Sequence, residues 1–337
     1  MKIALAIMKY DYGVEERGFS YEYYNLYLPL CDIYGKENIL LYDYFSEVKQ
    51  SGKDMMNKKL RELILSEKPD ISIFCILWEN QFDEATVSSF RRITKTLIYF
   101  FDDPWRQKFV RHWIKYFDFF STPDYYMYKQ YLLEGMTNVI YSPFGFNSSI
   151  YKKLNVSQNI DVSFVGGYSP LRNWIKHLLQ KEGLNVKFFG RGWGESGTWI
   201  SQEEMINVFN QSKINLNLSN AANYDLSFLL YSFPSFKNIK QLLLLRKNKE
   251  QVKGRHYEIN ACGGFQLSYF IPGLNEVYEI DKEIAVYENE RQIANSVKFF
   301  LNNNELRNSI ADRGYQRSQK DHSAQMYLKK LIDQIIN

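Results

Sequence analysis

The sequence predicts an α/β protein with two Rossmann-like domains, each built on a parallel sheet. The chain has 337 residues, which is too long for one small domain and fits two of ordinary size. Short apolar runs alternate with longer helical patterns along the chain, as is typical of parallel sheets. A Pro-Phe-Gly-Phe-Asn stretch at 143–147 follows the sixth predicted strand.

Composition excludes several classes of protein. The hydrophobic content of 45% supports two cores, and the net charge of +4 does not demand a nucleic-acid partner. The three cysteines (Cys31, Cys75 and Cys262) lie far apart, which argues against a disulfide framework or a zinc site and favours the reducing cytoplasm. The apolar runs at 3–8 and 242–245 are too short for a signal peptide or a transmembrane helix.

The first half of the chain reads as six strands with helices between them. The strands are predicted at 2–8, 39–42, 70–77, 96–101, 117–122 and 139–142, and the helices at 21–34, 58–66 and 125–134. The loop at 9–20 carries Gly13 and Gly18 and follows the first strand, so in an open parallel sheet it faces the ligand crevice. A flexible surface loop is an equal alternative.

Two adjacent carboxylates, Asp102 and Asp103, follow the predicted strand at 96–101. The carboxyl end of a parallel strand faces the ligand crevice, and mutual repulsion raises the pKa of one of the pair. One of them is therefore a candidate catalytic base or acceptor contact. The alternative is that Asp103 caps a helix that begins at Pro104.

The second half repeats the pattern, with polar residues after each strand. The strands are predicted at 161–165, 186–189, 214–218 and 283–287 and the helices at 173–182, 202–211, 236–246, 290–302, 305–319 and 324–336. The residues that follow the first three of these strands are candidates for binding an anionic ligand, namely Gly166, Gly167, Arg172, Arg191, Trp193, Asn217 and Ser219. An arginine binds two phosphate oxygens with its planar fork. Trp193 would either cover a nucleobase or pack against the domain.

The most informative stretch runs from Lys253 to Glu279. It predicts a helix carrying Glu258, a turn at Cys262-Gly263-Gly264, a strand at 265–270, and a second helix after Pro272. Glu258 can accept hydrogen bonds from two ribose hydroxyls. Gly263 and Gly264 can take positive φ or let a ligand approach the backbone. A helix N-terminus after Pro272 offers N–H groups to an anion, so the stretch suits a nucleotide diphosphate.

These residues resemble a known family. Glu-Ile-Asn-Ala-Cys-Gly-Gly at 258–264, followed by Pro-Gly-Leu-Asn-Glu at 272–276, resembles the nucleotide-sugar site of GT-B glycosyltransferases, and most of all the spore-maturation (CgeB-type) group related to glycosyltransferase family four. The resemblance implies a GT-B fold with a cleft between its domains. It implies that Glu258 holds the donor ribose, that Arg172 meets the diphosphate, and that Glu276 belongs to the donor site. Asp102-Asp103-Pro104 occupies the position where members of this family carry a His-Asp pair near the donor sugar.

The resemblance also implies the domain boundaries. Residues 1–150 would form the acceptor domain and 151–318 the nucleotide-sugar domain, while 319–337 would cross back to the first domain. Glu250 lies eight positions before Glu258 and matches the paired glutamates of retaining family-four enzymes. The usual Gly-Phe-Gly is absent, and Lys253-Gly254-Arg255 takes its place. Lys253 and Arg255 are therefore favoured as diphosphate contacts, and the stereochemistry stays open.

The predicted function is glycosyl transfer from a nucleotide diphosphate sugar, with UDP as the expected nucleotide, to a hydroxyl of a glycan, protein or other biomolecule. No metal or other cofactor is expected. The segment at 221–249 is longer than in simple GT-B enzymes and would touch the acceptor or extend a core or dimer contact. A nucleotide-sugar 2-epimerase is one alternative, although four histidines give it little support. A non-catalytic nucleotide-sugar-binding module is the other.

Overall fold

The computed structural model describes residues 1–194, 199–223, 225–244 and 247–337. The chain divides into two compact units. The N-terminal unit comprises Met1–Ser149 and Ser323–Asn337, and the C-terminal unit comprises Ile150–His322. The terminal segment thus joins the N-terminal unit at Ser323 rather than at 319, because the helix before it continues to Asp321.

The N-terminal unit is built on a six-stranded parallel sheet in the order β2-β1-β3-β4-β5-β6. Its strands are β1 Ile3–Ile7, β2 Ile39–Asp43, β3 Ile71–Phe74, β4 Lys95–Tyr99, β5 Phe119–Thr122 and β6 Val139–Tyr141. Ala4 and Ala6 of β1 belong to one core cluster, and Ile3, Leu5 and Ile7 to another. The strand is thus buried on both faces, which explains its unbroken apolar sequence.

Helices cover both faces of this sheet. They are α1 Leu28–Tyr34, α2 Tyr44–Glu67, α3 Glu84–Ser89, α4 Gln107–Trp113 and α5 Tyr125–Leu133. A π-helical turn at Tyr23–Tyr27 leads into α1 and completes the predicted helix at 21–34. The backbone of α2 is interrupted at Gly52, where φ is 78°. The helix predicted at Pro104 begins instead at Gln107, so the expected Pro104 start is wrong.

The C-terminal unit has a five-stranded parallel sheet in the order β11-β10-β9-β7-β8. Its strands are β7 Ile160–Val165, β8 Val186–Phe189, β9 Ser212–Asn217, β10 Gln266–Tyr269 and β11 Ala285–Tyr287. Because all strands are parallel, their carboxyl ends meet at one edge of the sheet. The loops that carry most of the predicted donor residues start from that edge.

Seven described helices belong to this unit. They are α6 Pro170–Lys181, α7 Gln202–Gln211, α8 Leu226–Ser232, α9 Phe236–Leu244, α10 Gly254–Ala261, α11 Ile293–Asn302 and α12 Asn304–Asp321. The predicted helix at 236–246 is observed as α9, and its expected end at Arg246 lies outside the described residues. After Pro272 the structure has only a 3₁₀ turn, Leu274–Glu276, in place of the expected helix.

The last helix, α13 Ala324–Ile336, belongs to the N-terminal unit. Its apolar face packs into the same core cluster as α1, through Leu328, Leu331, Ile332 and Ile335.

Two of the three cysteine thiols are buried. Cys75 is buried in the N-terminal unit and Cys262 in the C-terminal unit, whereas Cys31 is half-buried. Among the described helices, none has the length and apolarity that crossing a membrane requires.

Candidate functional site

The loops after β7 and β8 are joined to each other at the carboxyl edge of the C-terminal sheet. The Gly166 N–H donates to the Phe189 carbonyl at 2.8 Å, and the Tyr168 N–H donates to the Arg191 carbonyl at 2.8 Å. Gly190 makes this approach possible, because a Cβ at Gly190 would lie 2.4 Å from the Gly166 carbonyl oxygen. The glycines thus permit the two loops to pack closely.

Arg172 lies in the first turn of α6 and fastens two loops together. Its Nε and one terminal nitrogen donate to the Leu218 carbonyl at 3.1 and 2.8 Å, and the other terminal nitrogen donates to the Gly167 carbonyl at 2.8 Å. Burial lowers the pKa of Arg172. The guanidinium of Arg172, which was predicted to bind a diphosphate, therefore donates its hydrogen bonds to the backbone carbonyls of Gly167, after β7, and Leu218, after β9.

Trp193 packs against the body of the C-terminal unit. Its side chain is buried, its Nε1–H donates to the Gly166 carbonyl at 2.8 Å, and its ring lies 4.7 Å from that of Phe188. Of the two predicted roles, the structure favours packing over covering a nucleobase. Arg191 is half-buried, and its guanidinium lies 6.0 Å from the ring of Trp199.

The most highly connected polar group at this edge is the carboxylate of Glu250. One oxygen accepts hydrogen bonds from the Ser219 hydroxyl at 2.7 Å and from the backbone N–H groups of Asn220 and Ala221 at 2.8 and 3.0 Å. The other oxygen is paired with the ammonium of Lys247. The carboxylate thus holds the chain that leaves β9 and brings predicted Ser219 into the network.

Two further groups complete this network. The Lys253 ammonium lies 3.8 Å from the second Glu250 oxygen, and the Tyr269 hydroxyl donates to it at 3.5 Å. Lys247 has a 7% exposed side chain, whereas that of Lys253 is 30% exposed. Lys253 is therefore the accessible cation of the pair. We call Ser219, Lys247, Glu250, Lys253 and Tyr269 the Glu250 cluster.

The electrostatics of the cluster follow from burial and charge. Burial alone would raise the pKa of Glu250, but the charges of Lys253 and Lys247 outweigh it and lower the pKa to about 2. Burial and the Lys253 charge lower the pKa of Lys247. His256 is fully buried next to the cluster, and burial lowers its pKa to about 4. A neutral His256 is consistent with its Nδ1, which accepts a hydrogen bond from the Lys253 N–H at 3.0 Å.

Asn217 ends β9 beside this cluster. Its side chain is 5% exposed, and its Nδ2 has no hydrogen-bond partner among the described residues. A buried amide with an unused donor is costly unless something occupies it. Among the predicted donor-binding residues, Asn217 therefore carries a buried N–H donor that no described residue uses.

Glu258 lies on α10 and is 3% exposed. Its carboxylate is paired with the guanidinium of Arg255 on the same face of the helix. Arg255 also contacts the sulfur of Met205, and its guanidinium lies 5.2 Å from the ring of Phe209 on α7. The structure brings these two predicted donor residues together, but as partners of each other. Binding a ribose at Glu258 therefore requires Arg255 to release or share the carboxylate.

The glycine turn after α10 is filled by the protein itself. Gly263 has a φ of 71°, and a Cβ at this position would meet the side chain of Lys153 at 2.7 Å. A Cβ at Gly264 would meet the Phe209 carbonyl at 2.9 Å. Gly263 thus takes the predicted positive φ, and at both glycines atoms of the chain itself occupy the space that a Cβ would need. Glu276 is exposed in its 3₁₀ turn.

In the N-terminal unit the structure separates the two predicted carboxylates. Asp103 is fully buried and accepts hydrogen bonds from the Tyr131 hydroxyl at 2.7 Å and the Gln107 amide at 2.9 Å. Burial raises its pKa to about 6. Asp103 neither caps α4, whose N-cap is Arg106, nor reaches solvent, so the capping role is wrong. The raised pKa predicted for one of the two carboxylates is found at Asp103, and its main cause is burial rather than repulsion by Asp102. Asp102 is half-buried and stays the candidate at this edge.

Sequence reasoning missed two features of the N-terminal unit. Glu22 is 4% exposed, and burial raises its pKa to about 7. A cavity of about 380 Å³ lies beyond β2 and β3, with Tyr44, Phe45 and Trp78 among its lining residues. The Trp78 side chain is 46% exposed, and its ring centroid lies 5.8 Å from that of Phe45. Trp78 directly follows the apolar run that was predicted as a strand to Leu77, and this assignment drew attention away from it.

Within the described residues, no group of three or more His, Cys, Asp or Glu side chains is placed to hold a metal ion. The predicted donor residues fall into three sets. Gly166, Gly167, Arg172, Arg191 and Trp193 build the joined loops, Ser219 and Lys253 belong to the Glu250 cluster, and Arg255 pairs with Glu258. Asn217 lies beside the cluster, whereas Gly263, Gly264 and Glu276 take part in none of these contacts.

Comparisons with known proteins agree with this architecture. Residues 169–333, slightly less than half of the chain, match a family model described as Glycosyl transferase-like. The Anabaena protein HepE, solved in complex with UDP and glucose, has a TM-score of 0.65 and 10% identity, with 99% of each chain covered. Sucrose-phosphate synthase from Thermosynechococcus elongatus has a TM-score of 0.66 and 9% identity, covering 100% of this chain and 99% of the other.

A glycosyltransferase from Rickettsia africae has a TM-score of 0.63 and 12% identity, with 99% of this chain and 97% of the other covered. At such identities the likeness shows the fold. The predicted GT-B class, with two Rossmann-like parallel-sheet units, is confirmed. No curated protein sequence matched the chain.

Proposed function

We propose that this chain is a glycosyltransferase that moves a sugar from a nucleotide diphosphate sugar to an acceptor hydroxyl. The observation that carries the proposal is the place of the Glu250 cluster. It lies at the carboxyl edge of the C-terminal sheet, where open α/β sheets bind ligands, and within the residues that match the glycosyl transferase-like model. The GT-B fold over the whole chain supports the same conclusion.

We assign the donor to this edge. Lys253 is the accessible cation of the cluster and would neutralise the diphosphate as it departs. Glu250 holds Lys247 and the chain after β9 in place, and Asn217 at the end of β9 has an unused amide donor. Arg255 would add a second positive charge when it parts from Glu258, which would then be free to accept the ribose hydroxyls.

In the proposed reaction the acceptor oxygen forms a bond to the anomeric carbon, and the bond from that carbon to the diphosphate breaks. Negative charge then grows on the departing diphosphate, and Lys253 and Arg255 stabilise it without a metal ion. Asp102 is the proposed group at the N-terminal unit that receives the acceptor proton. The burial of Asp103 argues against the same role for it.

We further propose UDP as the nucleotide, because HepE was solved with UDP-glucose, and membership of the CgeB-type group, because of the motif at 258–264. The acceptor is a glycan, a protein or another hydroxyl-bearing molecule. Three free cysteines suit a reducing compartment such as the cytoplasm.

Ligand-induced stabilisation and nucleotide release test the proposal together. We expect UDP, among UDP, GDP and dTDP, to raise the melting temperature, since a ligand at 100 times its Kd adds about 2.7 kcal/mol of stability. Lys253→Ala should lower the turnover of a UDP-sugar by about 100-fold, as loss of one transition-state contact does elsewhere. Lys282→Ala is the matched control, because Lys282 forms an exposed surface pair with Glu279.

The outcomes separate the alternatives. Stabilisation by UDP-sugars without release of UDP under any acceptor condition would indicate a binding module. Conversion of the donor into a 2-epimer would indicate an epimerase. Equal turnover by Lys253→Ala and wild type would remove the diphosphate assignment of Lys253.

A further inference from the structure

The segment that contains α8 and α9 exposes an unusual amount of apolar surface. Six large apolar side chains between 226 and 244 are 65–83% exposed, namely Leu226, Leu230, Phe233, Phe236, Leu243 and Leu244. Elsewhere in the described part of the chain, only Leu133 reaches such exposure. A concentration of this kind marks an interaction surface, whereas single exposed apolar residues do not. We call these six residues the apolar face of 226–244.

The inner sides of both helices are anchored, so the apolar face has a defined orientation. Phe228 of α8 is fully buried, and its ring lies 5.6 Å from that of Trp174 on α6. Asn238 of α9 is buried and accepts a hydrogen bond from the Tyr168 hydroxyl at 2.6 Å. With one side of each helix fixed to the C-terminal unit, the opposite side projects outward.

The outward positions repeat at helical spacing. Leu226, Leu230 and Phe233 are four and three residues apart, and Phe236, Lys240 and Leu243 follow the same spacing on α9. Residues so spaced share one side of a helix. α8 therefore turns an apolar stripe outward, and α9 turns outward a stripe in which the exposed Lys240 lies between Phe236 and Leu243.

The charge of the segment indicates what covers this face. Residues 226–249 contain five basic residues (Lys237, Lys240, Arg246, Lys247 and Lys249) and no acidic residue. Lys247 is used internally by Glu250, while Lys240 and Lys249 are exposed. Apolar side chains flanked by positive charge match a surface that offers acyl chains and anionic headgroups.

We propose that the apolar face of 226–244 docks onto an anionic lipid surface, with α8 and α9 in the plane of the interface. A second copy of the chain fits less well. In a symmetric dimer the same patch contacts itself, which would bring the basic residues of both copies together. The proposal concerns a surface outside the donor cluster and does not depend on the proposed reaction.

Co-sedimentation of the full chain with vesicles tests this docking. We expect binding to vesicles of equal parts phosphatidylcholine and phosphatidylglycerol, little binding to phosphatidylcholine alone, and weaker binding at high salt because salt screens the basic residues. The double variant Leu230→Glu/Phe233→Glu should bind the mixed vesicles about tenfold or more weakly. Leu133→Glu is the matched control, because Leu133 is equally exposed in the N-terminal unit.

Circular dichroism and nucleotide release by the double variant establish that it is folded and that its donor site is intact. The docking proposal is overturned if the folded wild-type protein does not bind the mixed vesicles. It is also overturned if the double variant binds them as tightly as the wild-type protein does. Sedimentation velocity without vesicles supplies a further check. A wild-type dimer that the double substitution dissociates would assign the face to a second copy and refute the lipid assignment.

Discussion

Replacing Glu250 by glutamine tests the Glu250 cluster most directly. The substitution keeps the side-chain length and one carbonyl oxygen, which can still accept from the Ser219 hydroxyl and the backbone N–H groups after it. It removes the negative charge that faces Lys247 and Lys253. A buried ammonium at Lys247 is then left without its counter-charge, and this is expected to destabilise the C-terminal unit.

Two estimates give the size of the effect. The pKa of Glu250 is lowered from 4.5 to about 2, and at roughly 1.4 kcal/mol per pKa unit this corresponds to about 3 kcal/mol. Breaking one side of a buried ion pair costs about 3–5 kcal/mol in general. The lower figure is preferred, because Lys247 can release its proton once the carboxylate is gone. For a unit of this size, about 3 kcal/mol lowers the melting temperature by roughly 6–12 °C.

The pH dependence gives an independent check with a definite sign. A carboxylate whose pKa is lowered by folding contributes its stability above the unfolded pKa and loses it as the pH falls. The difference in melting temperature between wild type and Glu250→Gln should therefore be largest near neutral pH. It should decrease as the pH falls from 4.5 towards 2.

Differential scanning calorimetry from about pH 3 to pH 8 measures both quantities. Glu279→Gln is the control, because Glu279 forms an exposed pair with Lys282 and should change the unfolding free energy by less than about 1 kcal/mol. A loss of less than about 2 °C at neutral pH, or a loss that stays constant on acidification, would refute the assigned role of Glu250.

Three further predictions concern buried groups. Burial raises the pKa of Asp103 from 3.8 to about 6, so its contribution to stability is full below pH 3.8 and is lost as the pH rises through 6. Asp103→Asn should therefore be more stable than wild type at about pH 8 in urea unfolding, and lower stability there would contradict this. Arg172→Lys keeps the charge but loses the forked contact to two backbone carbonyls, so the unfolding free energy should fall by about 1–3 kcal/mol, and no change in urea unfolding would argue against the fastening role. Gly190→Ala places a Cβ 2.4 Å from the Gly166 carbonyl oxygen at a φ of 127°, whereas Gly183→Ala meets open space at a φ of 74°. The first should cost about 1–3 kcal/mol more than the second, and equal melting temperatures would show that the loops are not tightly joined.

The central strands were predictable because each carries a recognisable pattern. β1 is an unbroken apolar run, whereas apolar and polar residues largely alternate in β7 and β9, and neither pattern requires knowledge of the partners. The ends of the helices were harder to predict from the sequence. Pro104 is a good first helical residue, yet the backbone continues as a turn to Gln107, because the buried Asp103 is held by the side chains of other elements.

The sequence predicted where the site residues lie in the fold much better than it predicted what each side chain contacts. Sequence locates Arg172 and Trp193 at the carboxyl edge of the sheet, which is correct, but the direction of a side chain depends on partners that are distant in the chain. Arg172 bonds to Leu218, 46 residues away, and Trp193 bonds to Gly166, 27 residues away. The sequence favoured Lys253 over Glu250 because the usual Gly-Phe-Gly is absent. The central place of Glu250 depends on partners from separate segments, among them Ser219, Lys247 and Tyr269, which the sequence does not connect.

The buried thiols of Cys75 and Cys262 each report on the unfolding of one unit. A thiol reagent reaches Cys75 only when the N-terminal unit opens, and Cys262 only when the C-terminal unit opens, since both side chains are at most 1% exposed. Reaction rates of these two sulfhydryls under increasing urea therefore follow the two unfolding events separately on the unaltered chain. The same readout reveals whether a substitution in one half loosens that half alone.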